Sequence, residues 1–240
     1  MSGPVLETSK LTMQFGGVKA VNAVDFALME GELRCLIGPN GAGKSTFFKL
    51  ITGQLRPSSG RATYKGHDLS RRERHAIARL GLGIKTQVPS VFDGLSVREN
   101  VWVAASRRYH GKAANAAVDR QLERVGIADL QHRMVGQLAH GQRQLVELSI
   151  VLAQEPSLVL LDEPAAGMTQ KETDRLAEII HEIHRDHGLI VVEHDMAFIR
   201  SIATVVTVFN RGSILTEGPV AEVLSDQRVR DVYLGKQVAA

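Results

Sequence analysis

The residues from Gly38 to Ser45 form a glycine-rich segment, Gly-Pro-Asn-Gly-Ala-Gly-Lys-Ser, that ends in a lysine and a hydroxyl. They match the phosphate-binding pattern G-x-x-x-x-G-K-[ST] in full. Glycines let the backbone turn tightly, so that its N–H groups can face phosphate oxygens. Lys44 would reach the β- and γ-phosphates of a nucleotide, and the Ser45 hydroxyl would bind Mg²⁺. Residues 38–45, called the phosphate segment below, therefore predict a site for nucleotide phosphates.

A second segment, Leu158-Val-Leu-Leu-Asp162-Glu163-Pro164, consists of an apolar run followed by two adjacent carboxylates and a proline. The apolar run predicts a buried strand, and Asp162 at its end would hold Mg²⁺ through water. Glu163 follows one residue later and points elsewhere, so it can polarise an attacking water. By itself, such a pair of carboxylates is as often a solvent-exposed strand end as a catalytic site. Together with the phosphate segment, it predicts hydrolysis of the bound nucleotide.

Gln87 and His194 follow two further short segments of strand character, 83–86 and 189–192. A side chain just past the carboxyl end of a strand, in the sheet that bears the phosphate segment, points into the site. We therefore predict that both residues contact the terminal phosphate. Most of the nine histidines fit surface or capping positions, and none has metal-ligand spacing backed by cysteine.

The segment Leu138-Ala-His-Gly-Gln142 precedes a helix that is predicted to begin near Gly141. A glycine-bearing turn at the start of a helix can bind an anion, because backbone N–H groups and the helix dipole face it. Many helices begin in this way, so the segment by itself is weak evidence for a site.

The elements that must position these residues alternate between strands and helices. Residues 5–37 are predicted to be mostly strand, with strands at 11–15, 20–28 and 33–37. A helix should follow from 44 to 51, and a helical region rich in Arg, Ala and Val from about 87 to 153. The apolar runs 158–161 and 189–192 predict parallel strands with an amphipathic helix between them, and 205–217 predicts a hairpin.

Composition excludes several classes of protein. The 240 residues include a single cysteine, Cys35, which excludes a disulfide framework and a thiolate metal cluster. The longest aliphatic runs are about four residues, whereas a membrane span needs roughly 20. The net charge of +3 is too small to indicate nucleic-acid binding by itself. We expect a soluble, reduced, cytosolic chain without a signal segment, which would have to dock onto other chains to work at a membrane.

Taken in their order along the chain, the five motifs resemble those of the ATP-binding subunit of an ABC transporter. The resemblance extends from Leu11 to about Leu234. It implies an α/β fold, the P-loop NTPase of the ABC ATPase type, with a mixed core sheet, an antiparallel β-subdomain and a helical subdomain at about 87–153. It also implies one domain over residues 1–240, with a C-terminal hairpin and short helix at about 204–240.

The same resemblance implies a role for each motif residue. The catalytic residues would be Glu163, His194 and Gln87, and the Mg²⁺ ligands would be Ser45, Gln87 and Asp162. The nucleotide-binding residues would be Phe15, which stacks on adenine, with Gly38, Pro39, Asn40, Gly41, Ala42, Gly43, Lys44, Ser45 and Thr46. The signature residues, which contact the ATP of the opposite site, would be Leu138, Ala139, His140, Gly141 and Gln142.

Longer phrases narrow the resemblance to one branch of the family. Subunits that import branched-chain and other hydrophobic amino acids are similar at 38–46, 89–100, 162–168 and 192–196. Within that branch, 33–39 and 167–169 are most similar to urea-type subunits. The resemblance thus implies an ATPase that powers the uptake of urea or of branched-chain and hydrophobic amino acids.

Four residues depart from the family pattern. Ala139 replaces a serine that hydrogen-bonds the γ-phosphate, so only N–H groups and the helix dipole remain there. His140 replaces a glycine, Thr169 replaces an aspartate, and Phe15 replaces the commoner tyrosine. The amino-acid-uptake branch makes similar choices, so the departures do not imply an inactive enzyme. If the partner is a different subunit, they leave open which of the two ATP sites, each shared between the two subunits, is the more active.

The family implies ATP and Mg²⁺ as cofactors and several protein partners. These are a second ABC ATPase subunit in a homo- or heterodimer, two transmembrane permeases and, indirectly, a periplasmic solute-binding protein. It implies no nucleic-acid partner. It also implies a peripheral location at the cytoplasmic face of the inner membrane.

Two alternatives stay open at this point. Arg71-Arg72-Glu73-Arg74 could serve a soluble ABC ATPase that acts on nucleic acid or ribosomes, although such a run is more often a solvated helix face. A lipid-transport ABC ATPase belongs to the same alternative. Ala139 and Thr169 raise the second one, a nucleotide-dependent binding module with weak hydrolysis, against which the intact lysine and carboxylates of the motifs argue.

Overall fold

The computed structural model describes residues 3–88 and 90–233. Pro89 and residues 234–240 lie outside this part, and with them one residue of the 89–100 phrase and the end of the predicted C-terminal segment. The chain forms two compact units. The first combines the residues up to Leu80 with those from Gly188 onward, and the second consists of Gly81–His187.

Strands and helices alternate along the described residues as predicted. The strands are β1 (Leu6–Phe15), β2 (Val18–Leu28), β3 (Leu33–Ile37), β4 (Ser59–Tyr64), β5 (His67–Asp68), β6 (Leu82–Lys85), β7 (Leu158–Asp162), β8 (Gly188–Val192), β9 (Val205–Asn210) and β10 (Ser213–Pro219). The helices are α1 (Lys44–Ile51), α2 (Arg74–Arg79), α3 (Val97–Ala105), α4 (Gly111–Val125), α5 (His140–Leu152), α6 (Gln170–His184), α7 (Met196–Ile202), α8 (Val220–Ser225) and α9 (Gln227–Tyr233). Short 3₁₀ turns lie at Ala128–Leu130 and Val135–Gln137.

The first unit contains an antiparallel sheet with the strand order β2-β1-β4-β5. β1 pairs with β2 from Leu6 opposite Leu28 to Phe15 opposite Val18. β1 starts at Leu6, within the region 5–37 predicted to be mostly strand but before the first individual strand predicted at 11–15. Residues 6–10 alternate less clearly between apolar and polar side chains, and their pairing with β4 supplies the order that their own sequence signals weakly.

The first unit also contains a mixed group of strands around β3, which leads into the phosphate segment. β3 lies parallel to β8 on one side and to β9 on the other, and β9 and β10 form the predicted antiparallel hairpin. Behind the start of α1, the ring of Phe47 packs between Phe26 and Phe209, with ring centroids 5.4 and 5.2 Å away. This buried aromatic cluster fixes α1 against the strands that flank it.

The second unit combines the parallel pair β6 and β7 with four helices, α3 to α6. β6 and β7 pair from Leu82 opposite Leu158 to Lys85 opposite Leu161. The predicted helical region holds α3, α4 and α5, and α5 begins at His140, one residue before the predicted start. The helix predicted between the two apolar strands is α6, and the residues of its apolar stripe are buried as expected: Leu176, Ile179, Ile180 and Ile183.

These elements agree with the α/β fold expected from the sequence, with a mixed sheet, an antiparallel sheet and helices. Within residues 3–88 and 90–233, the structure contains no helix that is both long and apolar enough to cross a bilayer.

Candidate nucleotide site

The phosphate segment of the first unit has a backbone that requires glycine at two positions. Gly38 and Gly43 have φ angles of +141° and +106°, a region that L side chains rarely adopt. A Cβ at Gly38 would collide with the carbonyl oxygen of Phe209, and one at Gly43 with that of Ala20. The sequence predicted a tight backbone turn, and the structure adds the two carbonyl groups against which it packs.

Lys44 is the first residue of α1 and is buried within this segment. Its Nζ donates hydrogen bonds to the carbonyl oxygens of Gly38 at 2.5 Å and Pro39 at 3.1 Å. The ammonium group is therefore held over the loop formed by its own neighbours. A cation in that position, beside the N–H groups at the start of a helix, favours the binding of an anion.

Other predicted nucleotide contacts in the first unit are at the surface. Ser45 and Asn40 are exposed, while Thr46 is partly exposed on the first turn of α1. Phe15 ends β1 and is 49% exposed. Such a ring is available for stacking against a flat ligand.

His194 follows β8, the strand that pairs with β3 in the first unit. Its backbone N–H donates to Oε2 of the buried Glu193 at 3.1 Å, while its imidazole is 57% exposed. The next residue, Asp195, caps α7 by accepting from the N–H groups of Ala197 and Phe198. The phosphate segment and His194 thus follow the carboxyl ends of two adjacent parallel strands. The sequence predicted that both strands belong to one sheet, and the structure adds that they are neighbours.

In the second unit, Gln87 and Glu163 are in direct contact although they are far apart in the sequence. Gln87 Nε2 donates to Glu163 Oε2 at 2.9 Å. Both residues come just after the ends of the paired strands β6 and β7, which explains their meeting. Glu163 has a φ of +46°, which is uncommon for a residue with a Cβ. Such backbone conformations occur preferentially at functional sites. Asp162, one residue earlier, is the buried last residue of β7.

The predicted Mg²⁺ ligands have suitable chemistry. Ser45 brings a hydroxyl oxygen, Gln87 an amide oxygen and Asp162 a carboxylate oxygen, and Mg²⁺ prefers such hard oxygen donors. The contact with Glu163 uses the amide nitrogen of Gln87 and leaves its oxygen for a metal. Across the described part of the chain, no cluster of three or more His, Cys, Asp and Glu residues could hold a metal by itself. Nucleotide oxygens and water would have to complete the coordination.

The signature segment leads into α5 and packs against the residues that follow Glu163. Ala139 lies at the N-cap position without an oxygen of its own, and its N–H donates to Gln142 Oε1 at 3.1 Å. His140, which replaces a glycine of the family pattern, has its Nε2 3.1 Å from the carbonyl oxygen of Ala166. A Cβ at Gly141 would meet the Glu172 carboxylate, which would have to move aside.

The structure reveals Glu172 as a contact of this segment that sequence reasoning missed. Glu172 belongs to α6, and its carboxylate also accepts hydrogen bonds from the backbone and the hydroxyl of Thr169 at 2.8 Å each. These bonds lower the pKa of Glu172. A sequence signal did exist, because Thr169 and Glu172 have the spacing of a helix capping box.

Comparison with known proteins bears on this arrangement. The model of the ABC transporter family matches residues 21–166, more than half of the chain. The chain belongs to this family. It is an ABC ATPase, and the fold and the enzyme class expected from the motifs are confirmed. A second family model, for branched-chain amino acid ATP-binding cassette transporters, matches residues 213–239.

Relatives are similar to the chain over nearly its whole length. The high-affinity branched-chain amino acid transport ATP-binding protein BraF of Pseudomonas aeruginosa is 35% identical, and the match covers 98% of this chain and 100% of that protein. LivG of Escherichia coli, with the same description, is 34% identical over the same shares. The solved structure of the ADP conformation of MJ1267, an ATP-binding cassette of an ABC transporter, is 26% identical with a TM-score of 0.86 and covers 98% of this chain and 100% of that one.

A further solved structure has the same fold and shows an assembly of its own. The dimeric post-hydrolysis state of the ATP-binding cassette MJ0796, bound to ADP and Pi, has a TM-score of 0.80 at 20% identity and covers 90% of this chain and 98% of that one.

Proposed function

We propose that this chain is the ATP-hydrolysing subunit of an ABC importer for branched-chain or other hydrophobic amino acids. The contact between Gln87 Nε2 and Glu163 Oε2, 2.9 Å long, is the observation that best supports hydrolysis. It joins the predicted general base to a side chain that can orient water or a metal. The identity of 35% to a branched-chain amino acid transport subunit, over 98% of the chain, supports the substrate class.

In the proposed reaction the motif residues have distinct tasks, and Gln87 has two. Lys44 and the N–H groups of the phosphate segment bind the β- and γ-phosphates, and Phe15 stacks on the adenine. Glu163 accepts a proton from the attacking water, which Gln87 and His194 orient toward the γ-phosphate. Mg²⁺ held by Ser45, Gln87 and Asp162 would neutralise the charge that builds on the phosphate oxygens.

The proposal includes a dimer that binds two ATP molecules between its subunits. Residues 138–142 would contact the ATP held by the phosphate segment of a second ABC ATPase subunit. The helix start at Ala139 supports this role, because a residue without a polar side chain leaves the N–H groups of the first turn to an anion. Two membrane permeases and a periplasmic solute-binding protein would complete the transporter, with this chain at the cytoplasmic face.

The substitution Glu163→Gln tests the hydrolytic assignment. It keeps the size of the side chain and an acceptor for Gln87, but it removes the base. We expect ATP to bind with an unchanged Kd and phosphate release to fall by roughly 10²–10⁴-fold. The exposed Glu222→Gln is the matched control and should hydrolyse at the rate of the unsubstituted chain. Undiminished phosphate release in Glu163→Gln contradicts the assignment of the base.

Urea is a second candidate substrate, because 33–39 and 167–169 resemble urea-type subunits. The reassembled transporter separates the two candidates. We expect its ATPase rate to rise when the solute-binding protein is loaded with leucine. Stimulation by urea and not by leucine, isoleucine or valine would contradict the amino-acid assignment.

A further inference from the structure

A buried ion pair links α5 to the segment that bears Gln87. Lys85, the last residue of β6, and Glu147, in the middle of α5, are 1% and 3% exposed. Lys85 Nζ lies 3.5 Å from Glu147 Oε2. Neither residue belongs to the motifs of the nucleotide site, and nothing in the proposed reaction uses them.

Glu147 also accepts hydrogen bonds from the backbone on both sides of Gln87. The N–H of Ser90 donates to Glu147 Oε1 at 3.1 Å, and the backbone of Thr86 donates to the same carboxylate. One side chain thus fixes two points of the chain that flank the glutamine. The glutamine between them reaches Glu163.

Burial of both charges of an ion pair costs free energy that their attraction only partly offsets, so the stability of the fold does not by itself explain the pair. Apolar residues of similar volume often stabilise a fold as well as such a pair does. An apolar residue at 147, however, could not accept hydrogen bonds from Ser90 and Thr86. Burial raises the pKa of Glu147, and the neighbouring Lys85 opposes that rise.

We propose that Glu147 is a positioning residue, which fixes Gln87 against Glu163 and joins the glutamine segment to the helix that carries the signature residues. The N-terminus of the same helix bears Gln142, five positions before Glu147. Movement of α5 would therefore shift Gln87 as well. This inference rests on the proposed hydrolysis of ATP, which it refines.

Two double variants of the full chain separate the hydrogen bonds from the charges. Lys85→Met with Glu147→Gln removes both charges but keeps an oxygen that accepts from the two amides. Lys85→Met with Glu147→Met removes the charges and the acceptor. Neither double variant leaves an unpaired buried charge, which would unfold the chain for an unrelated reason. Thermal unfolding of both verifies that they are folded.

We expect the Gln variant to hydrolyse ATP within about threefold of the unsubstituted chain, and the Met variant to have a kcat about tenfold lower with an unchanged KM. Tenfold corresponds to about 1.4 kcal/mol of transition-state stabilisation. Because Glu147 acts through Gln87, the difference between the two variants should vanish when Gln87→Ala is added to both. Hydrogen exchange at the Ser90 amide should be faster in the Met variant.

Equal kcat values in the two variants, or a difference that persists with Gln87→Ala, would overturn the inference. Equal exchange at Ser90 would overturn it as well. Absence of hydrolysis in the unsubstituted chain would instead contradict the proposed function, and with it any role of Glu147 in hydrolysis. The exchange measurement distinguishes these cases, since it reports on the hydrogen bonds without activity.

Discussion

Thr169, at the start of α6, stands where the family usually has an aspartate, and its hydrogen bonds allow a quantitative test of this departure. The Thr169 Oγ1 accepts from the backbone N–H of Glu172 at 3.4 Å and donates to Glu172 Oε2 at 2.8 Å. The Thr169 N–H donates to the same carboxylate oxygen at 2.8 Å. The side chain itself is exposed, so its removal leaves no cavity.

The expected effect of Thr169→Ala is the loss of the two hydroxyl bonds, while the backbone bond to Glu172 remains. Loss of an N-cap oxygen destabilises proteins by about 1 kcal/mol. For a chain of this size that corresponds to a decrease in Tm of roughly 2–4 °C. Thr169→Ser keeps the hydroxyl and should melt with the unsubstituted chain.

Thr169→Asp and Thr169→Asn separate geometry from charge. Both keep an acceptor for the Glu172 N–H, but the aspartate places a second carboxylate beside Glu172 Oε2. We expect Asp to be less stable than Asn, although a negative charge at a helix N-terminus is otherwise favourable. The gap should close when Glu172→Gln is added, because the like charges are then gone.

Thermal unfolding followed by circular dichroism at pH 7 measures all these variants. A Tm of Thr169→Ala equal to that of the unsubstituted chain would refute the capping role. An Asp variant as stable as the Asn variant would refute the repulsion. The second result would also mean that repulsion by Glu172 does not explain the threonine at this position.

Two further predictions concern Cys35, which is buried, and His187, which is partly buried. Burial raises the pKa of Cys35 to about 12. The native chain should therefore not react with a thiol reagent at about pH 8, whereas the denatured chain should react fully. Fast labelling of the native protein would contradict the buried position. Burial, assisted by Arg124, lowers the pKa of His187 below its ordinary 6.5, so the unfolded state binds the proton more readily. The stability that this pKa shift contributes is fully present above pH 6.5, the ordinary pKa of histidine, and it is lost as the pH falls through the pKa in the folded state. The urea midpoint of His187→Gln should therefore decline less between about pH 6.5 and 5 than that of the unsubstituted chain, and an equal decline would show that His187 does not titrate in this way.

Local signals predicted most of the elements correctly. The phosphate segment, the apolar strand before Asp162 and the stripe of α6 depend on residues that are close in the chain, so their backbone preferences and periodicity could be inferred from the sequence. The start of β1 could not, because pairing with neighbouring strands defines it more than its own residues do.

The sequence by itself determined the family and the enzyme class, and it predicted which residues would form the nucleotide site. It could not determine which distant groups touch. The tertiary structure decided that Gln87 donates to Glu163, that His140 meets Ala166, and that Glu147 pairs with Lys85. The physical reason is that the pattern of a strand or helix is encoded by residues a few positions apart. A hydrogen bond between remote side chains, in contrast, exists only once strand order and helix packing have brought them within about 3–4 Å.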